Sequence, residues 1–206
     1  MLRILGRKNS SNVQKVMWCV GELAIPHERV DMGGDFGGGD LPAYRALNPN
    51  ALVPTIEEDG YVLWESNAIV RYLAARHGMG TLYPEDLRTR MSAERWMDWQ
   101  LGTVNLPMWP LFFNLVRVTP EKRDRQAVAE AREKALEYFQ ILNAALERSP
   151  YLAGERLTIA DIPMGVMAYR FFSLAIERPH LAHAEAWYRR LAERPAFRNH
   201  VMLPLD

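Results

Sequence analysis

The sequence predicts an α/β unit over residues 1–77 followed by an all-helical unit over residues 87–206, with a linker at 78–86 between them. Three observations predict it. Up to residue 77, short β-rich runs are separated by segments with helical spacing. From Gly78 to Asp86, two glycines and a proline interrupt every periodic pattern. Beyond Asp86 the apolar residues recur only at the spacing of helices.

The elements follow in order. Met1 to Gly6 is a short apolar run, the first strand. Arg7 to Asn12 is a polar connector. Val13, Val16, Met17 and Val20 lie at helical spacing, so the first helix begins near Asn12. After the Ile25-Pro26 break, His27 to Asp31 reads as a second strand, and strand–helix–strand makes a parallel unit with a right-handed crossover. Gly33 to Gly39 is a glycine-dense loop beside the cleft, whose Phe36 either rests on a bound ligand or pins the loop. No Gly-Lys-Ser/Thr follows it and no dinucleotide fingerprint opens a helix there, so it is not a phosphate loop. A short helix runs from Leu41 to Leu47. Val53 to Glu58 and Tyr61 to Trp64 are paired strands around Asp59-Gly60, a dipeptide suited to the positive φ of a two-residue hairpin turn. Ser66 stands as N-cap of a helix that stops at Gly78.

The second half carries its own signals. Met91 to Val118 is aromatic-rich and contains Pro107 and Pro110, which should kink or break a helix. Val128, Ala131, Ala135, Tyr138, Phe139, Leu142 and Leu146 form one stripe of a long amphipathic helix whose other face alternates charges of both signs, a core helix rather than a membrane-surface one. In Leu157-Thr158-Ile159-Ala160-Asp161-Ile162, Thr158 is an N-cap, Asp161 occupies the reciprocal capping position and Leu157 can staple to Ile162. Glu185 to Glu193 and Pro195 to Val201 read as two short helices.

Composition limits the function. Lys+Arg and Asp+Glu number 25 each, so no global basic field collects nucleic acid or an anionic membrane. No apolar run approaches a membrane span, and residues 1–6 are too short for a secretory core. The single cysteine, Cys19, excludes an intramolecular disulfide framework. These features predict a cytoplasmic protein. The five histidines show no metal-ligand spacing and no Gly-x-Ser-x-Gly elbow is present, so neither a metal centre nor a serine hydrolase is expected.

Two local features point to a ligand. Pro54 cannot donate to a sheet ladder. It suits a trans peptide on an edge strand, or a cis peptide that would turn the Val53 N–H and C=O outward. Glu65-Ser66 at a helix start gathers a hydroxyl, free N–H groups, the positive end of a helix dipole and a carboxylate. That set suits a zwitterion, and equally a plain N-cap serine.

Taken together, NPNALVPTIEEDGYVLWESNAIVRYL resembles the glutathione transferase superfamily, on its thioredoxin-like N-terminal domain. The segment LTIADI is similar to the capping motif of that family's helical domain, so the resemblance spans nearly the whole chain. It implies a thioredoxin-like fold ordered strand, helix, strand, helix, strand, strand, helix, then an all-α domain. It also implies a cis Val53-Pro54 peptide, glutathione as co-substrate, no metal, and a homodimer engaged in detoxification. Val53 and Pro54 would bind the cysteinyl part of glutathione, and Glu65 with Ser66 its γ-glutamyl end.

The family's chemistry needs donors to the glutathione sulfur between the first strand and the first helix. NSSNVQKV looks like the theta and delta classes, where a serine six residues before a helix-one valine donates to the sulfur. Counting back from Val16 gives Ser10. It also resembles members with Ser/Thr-x-Asn-x-x-Lys-Val, which implies Asn12 as second donor. Ser11 serves if the register slips, or caps the helix. Members with a connector cysteine act as thiol reductases; Cys19 lies well inside the helix and is expected to be buried and inert. The electrophile would meet the helical domain. Trp109, Phe112, Phe113 and Tyr169 are the candidates, with Trp96, Trp99, Met108, Arg170 and the tail as further ones, each able to serve instead as core or dimer contact. The rival functions are glutathione-dependent disulfide or peroxide reduction on the same scaffold, and a non-catalytic binding module.

Overall fold

The structure, a computed structural model, describes residues 1–205. Its first half is one four-stranded sheet flanked by helices. The strands are β1 (Leu2–Leu5), β2 (His27–Val30), β3 (Thr55–Glu58) and β4 (Tyr61–Trp64). Their spatial order is β2-β1-β3-β4, with β1 parallel to β2 and antiparallel to β3. Three helices belong to this half: α1 (Ser11–Glu22), α2 (Pro42–Leu47) and α3 (Ser66–His77). The thioredoxin-like order inferred from sequence is the order observed. The β3–β4 turn uses positive φ at both Asp59 (51°) and Gly60 (82°), as a turn matched to strand twist requires.

α1 is buried along its whole middle, from Val13 to Val20: Val13, Val16, Trp18, Cys19 and Val20 are fully buried, and Gln14 and Lys15 are buried with them. Such a helix must be enclosed, and α3 and the later helices Asp161–Ser173 and Pro195–His200 enclose it. Trp18 reaches Gly165 so closely that a Cβ there would lie 2.6 Å from the indole. That contact, the Arg194–Glu22 ion pair at 2.6 Å, the Asn67 amide donating to the Met97 carbonyl at 2.9 Å, and ion pairs from Arg71 to Glu94 and Asp98 fix the two halves against each other.

The second half contains α4 (Leu87–Trp99), α5 (Asn105–Phe112), α6 (Arg125–Ala145), α7 (Asp161–Ser173), α8 (Ala182–Ala192) and α9 (Pro195–His200). Of the kink or break expected from sequence, the break does not occur: Pro107 and Pro110 leave the run from Leu87 to Arg117 continuous. Wide π-type turns at Gln100–Val104 and Phe113–Arg117 flank α5. Such turns redistribute the carbonyls that lack a partner when a proline N–H is missing. The Asn114 amide also donates to the Pro110 carbonyl at 3.0 Å.

The start of α7 is only in part as expected: Ala160, not Thr158, holds the capping position and no side chain caps the helix, while the reciprocal bond to Asp161 is present. The Asp161 carboxylate accepts the Thr158 N–H at 2.9 Å, and the Thr158 hydroxyl accepts the Ala160 N–H at 3.3 Å. The other carboxylate oxygen accepts from the Leu152 N–H at 3.1 Å and the Trp187 indole at 2.9 Å. Burial pushes this carboxyl up to about 6, against the pull of those three N–H donors and of the Thr158 hydroxyl, which also donates to it.

Candidate functional site

The site is a cleft between the sheet's open end and α5, with two connected parts. The larger cavity, about 550 Å³, is lined by Ser10, Ser11, Asn12, Leu52 and Val53 on one side and by Asn105, Trp109, Phe112 and Phe113 on the other.

 The smaller recess, about 40 Å³, is lined by Asn12, Asn48, Asn50, Leu52, Val53, Pro54, Glu65 and Ser66. Asn12, Leu52 and Val53 line both parts, so the two form one groove.

The segment before β3 is held from below. The Tyr44 hydroxyl donates to the Leu52 carbonyl at 2.6 Å and meets the Thr55 hydroxyl at 2.9 Å. The Asn48 amide reaches the same two groups at 2.8 and 3.1 Å. The Val53-Pro54 peptide is cis. Among the described residues no hydrogen bond closes on the Val53 N–H or C=O, which leaves a backbone donor and acceptor at the groove.

Ser66 departs from its expected place. It is the first residue of α3, and the capping position belongs to Glu65, whose φ of 72° lies in the left-handed region. The Ser66 hydroxyl donates sideways to the Asn12 side-chain oxygen at 3.2 Å. Asn12 therefore braces Ser66 instead of capping α1. Ser10 holds the capping position of α1, yet its hydroxyl caps no helical N–H.

Beneath Ser66 lies a residue that the sequence reading did not single out. The Lys15 ammonium is fully enclosed, 3.0 Å from the Gln100 side-chain oxygen and 3.5 Å from the Ser66 hydroxyl. Burial, and then the Arg170 cation, push it down to about 7, while Glu65 pulls the other way. The available signal was its place in α1, where every residue from Val13 to Val20 is buried.

The outer cavity mixes rings with cations. Trp109 and Phe113 stack with centroids 5.3 Å apart and planes 9° from parallel. Arg7, Arg117 and Arg170 line the same cavity. The Arg170 guanidinium lies 3.9 Å over the Phe112 ring. Burial, then Arg117 and Arg7, push it down to about 10, so it remains a cation at neutral pH. The chain bends close around Arg7: a Cβ on Gly34, at φ +58°, would lie 2.8 Å from its Nε.

Other expected residues fall elsewhere. Tyr169 does not line the cavity; its hydroxyl donates to the Leu203 carbonyl and ties down the tail. Trp96 and Met108 are core residues, and Trp99 packs edge-on to Tyr138. Phe36 is 58% exposed and pins nothing; the loop is closed by backbone bonds such as Gly33 N–H to the Gly37 carbonyl at 2.7 Å. Cys19 is buried, and burial pushes its thiol far up. Among the described residues no cluster of three His, Cys, Asp or Glu could hold a metal, and no helix is long and apolar enough to cross a membrane.

Comparison with known proteins adds the following. Residues 9–76 match the model of the glutathione S-transferase N-terminal domain, and residues 108–195 that of the C-terminal domain. Glutathione S-transferase GstB of Escherichia coli (strain K12) is 36% identical over 208 residues, covering 100% of both chains. Glutathione S-transferase 3 of Zea mays is 29% identical, covering 97% of this chain and 93% of its own. Among solved structures, the theta class glutathione S-transferase of Xanthomonas axonopodis pv. citri with glutathione bound superposes with a TM-score of 0.96 at 46% identity, covering 100% of this chain and 99% of that one.

Proposed function

The chain belongs to the glutathione S-transferase family, and we propose that its groove binds glutathione, holds the thiol as thiolate and presents it to a small, largely apolar electrophile. The observation that carries this reading is the unpartnered Val53 peptide, set between the Ser10–Asn12 connector and the Glu65-Ser66 helix start. An extended peptide laid along it would exchange two backbone hydrogen bonds. Its γ-glutamyl end would enter the small recess, carboxylate toward Ser66 and ammonium toward Glu65. Its sulfur would then face the connector. The glutathione bound in the Xanthomonas relative supports the same ligand here.

The activation has a size. A free thiol of pKa ~8.5 is only a few per cent ionised at neutral pH. Lowering it by ~2 units takes ~2.7 kcal/mol of preference for the anion. A hydroxyl donor supplies part of that, because hydrogen bonds to charged groups are the strong ones. Ser10 is the donor of choice, since its hydroxyl caps no helix while Asn12 is engaged by Ser66; Asn12 assists through its amide and Ser11 flanks it. The thiolate's electron pair attacks carbon, and the leaving group departs with its own pair. Trp109, Phe112 and Phe113 supply the wall. Units 1–77 and 87–206 divide the work, in a homodimer acting in the cytoplasm on reactive compounds.

The test is the thiol pKa of bound glutathione, followed by its ultraviolet absorbance against pH. The expected value lies about 2 units below that of free glutathione. No detectable binding by calorimetry would instead favour the non-catalytic module, and turnover confined to disulfide or peroxide substrates would favour the reductase.

A further inference from the structure

We propose that the second substrate is an anionic aromatic electrophile, its ring against Trp109–Phe113 and its anion among Arg7, Arg117 and Arg170. This rests on the proposed function and names the substrate class of that site.

The three arginines come from three separated parts of the chain: the connector after β1, the end of the π-type turn after α5, and α7. They converge on one cavity. Arg7 and Arg117 are close enough to disfavour the charge on Arg170. Among the described residues, none of the three forms an ion pair with a carboxylate. The one acidic residue lining the cavity, Asp35, is exposed and pairs with none of them. The Arg170 Nε is buried without a hydrogen-bond partner, which a lone cation–π contact with Phe112 does not remedy. The excess is local, because the chain as a whole is neutral.

Glutathione alone does not account for the cluster. In the proposed pose its γ-glutamyl carboxylate sits at Ser66, in the recess that none of the three arginines lines. Its glycyl carboxylate could satisfy one arginine and would leave two. The stacked pair beside them is a flat surface for a ring, and a guanidinium fork suits a planar oxyanion. The step itself is an addition–elimination. The thiolate pair forms the C–S bond at the ring carbon, the carbon–halogen bond breaks, and halide leaves with its pair.

The test compares 1-chloro-2,4-dinitrobenzene with its carboxylate analogue, 4-chloro-3,5-dinitrobenzoate, using the full-length protein. Each kcat/KM is divided by the uncatalysed rate with glutathione. The carboxylate should be favoured about tenfold or more, and Arg117→Met should remove most of that preference, with partial retention in Arg117→Lys. Arg117 is exposed, so its substitution tests the idea even if Arg170→Met does not fold. Turnover of the neutral compound with no preference for the carboxylate overturns the inference and leaves the proposed function standing. A preference unchanged by Arg117→Met, with a raised KM for glutathione, also overturns it and returns the arginine to glutathione. Turnover of neither compound removes the proposed function and the inference with it.

Discussion

Replacing Lys15 by methionine should make stability less dependent on pH, and the structure sets the size. The ammonium is enclosed and held by two neutral oxygens, at 3.0 Å from Gln100 and 3.5 Å from Ser66. Its pKa falls from an ordinary 10.5 to about 7. The unfolded chain therefore binds more protons than the folded one between those values. Stability rises with pH across that window, is fully present above 10.5 and is lost as pH falls to about 7. The whole interval corresponds to ~5 kcal/mol, an upper figure for a group that can relax. Between about pH 7.5 and pH 9.5 the slope is close to its limit, so wild type should gain about 2–3 kcal/mol there.

Methionine matches the length of lysine and does not titrate. It also leaves the Gln100 oxygen without its donor, a cost of about 1–3 kcal/mol. That cost does not vary with pH, so the slope separates the two effects where a single measurement would mix them. The assay is urea unfolding of both proteins at several pH values. Subtracting the curves cancels the other groups that titrate in this range. The difference should narrow or change sign by about 2–3 kcal/mol over the window. A difference constant within about 0.5 kcal/mol would mean that Ser66, Gln100 and Glu65 hold the ammonium as well as water does.

Further outcomes are expected. Ser10→Ala should lower kcat about tenfold or more and raise the thiol pKa of bound glutathione, with little change in its affinity; the same loss in Ser11→Ala and none in Ser10→Ala would reassign the donor. Ser66→Ala should chiefly raise the KM for glutathione, and an unchanged KM would remove Ser66 from the binding site. Asp161→Ala leaves the N–H groups of Leu152, Thr158 and Trp187 without their acceptor, so unfolding should become easier by about 3 kcal/mol or more; a wild-type melting temperature would refute that account. Cys19 should resist alkylation in the native protein and react once it is unfolded, because it is buried and its thiol is pushed up.

The fold was legible because its signals are local. Asp59-Gly60 announces a hairpin, and Thr158 with Asp161 announces a helix start, from residues within a few positions of each other. The groove was legible only where family motifs marked it. Ser66 was misplaced by one position because nothing in the sequence shows that Glu65 takes the left-handed conformation. The unbroken run through Pro107 and Pro110 was missed because the packing of α5 against α6 and α7, and of the first wide turn against α7, is not written in the local composition. Arg170 was a candidate from the sequence, but nothing there marked Arg7 or Arg117; the convergence of the three exists only after folding.

Several departures from regular structure lie at the groove. Glu65 adopts a positive φ, Lys15 is an enclosed cation, and α5 lies between two widened turns. Each works against stability. These departures are also connected. Gln100, the first residue of the first wide turn, accepts from Lys15, and Lys15 in turn donates to Ser66 beside Glu65. A helix of the second half is thereby coupled to the proposed γ-glutamyl recess through one buried ammonium. The same α5 carries Trp109 and Phe112 into the outer cavity. Costs concentrated in one connected set of residues are accounted for by a ligand that uses them together, and a packing role for each residue separately gives no reason for them to coincide.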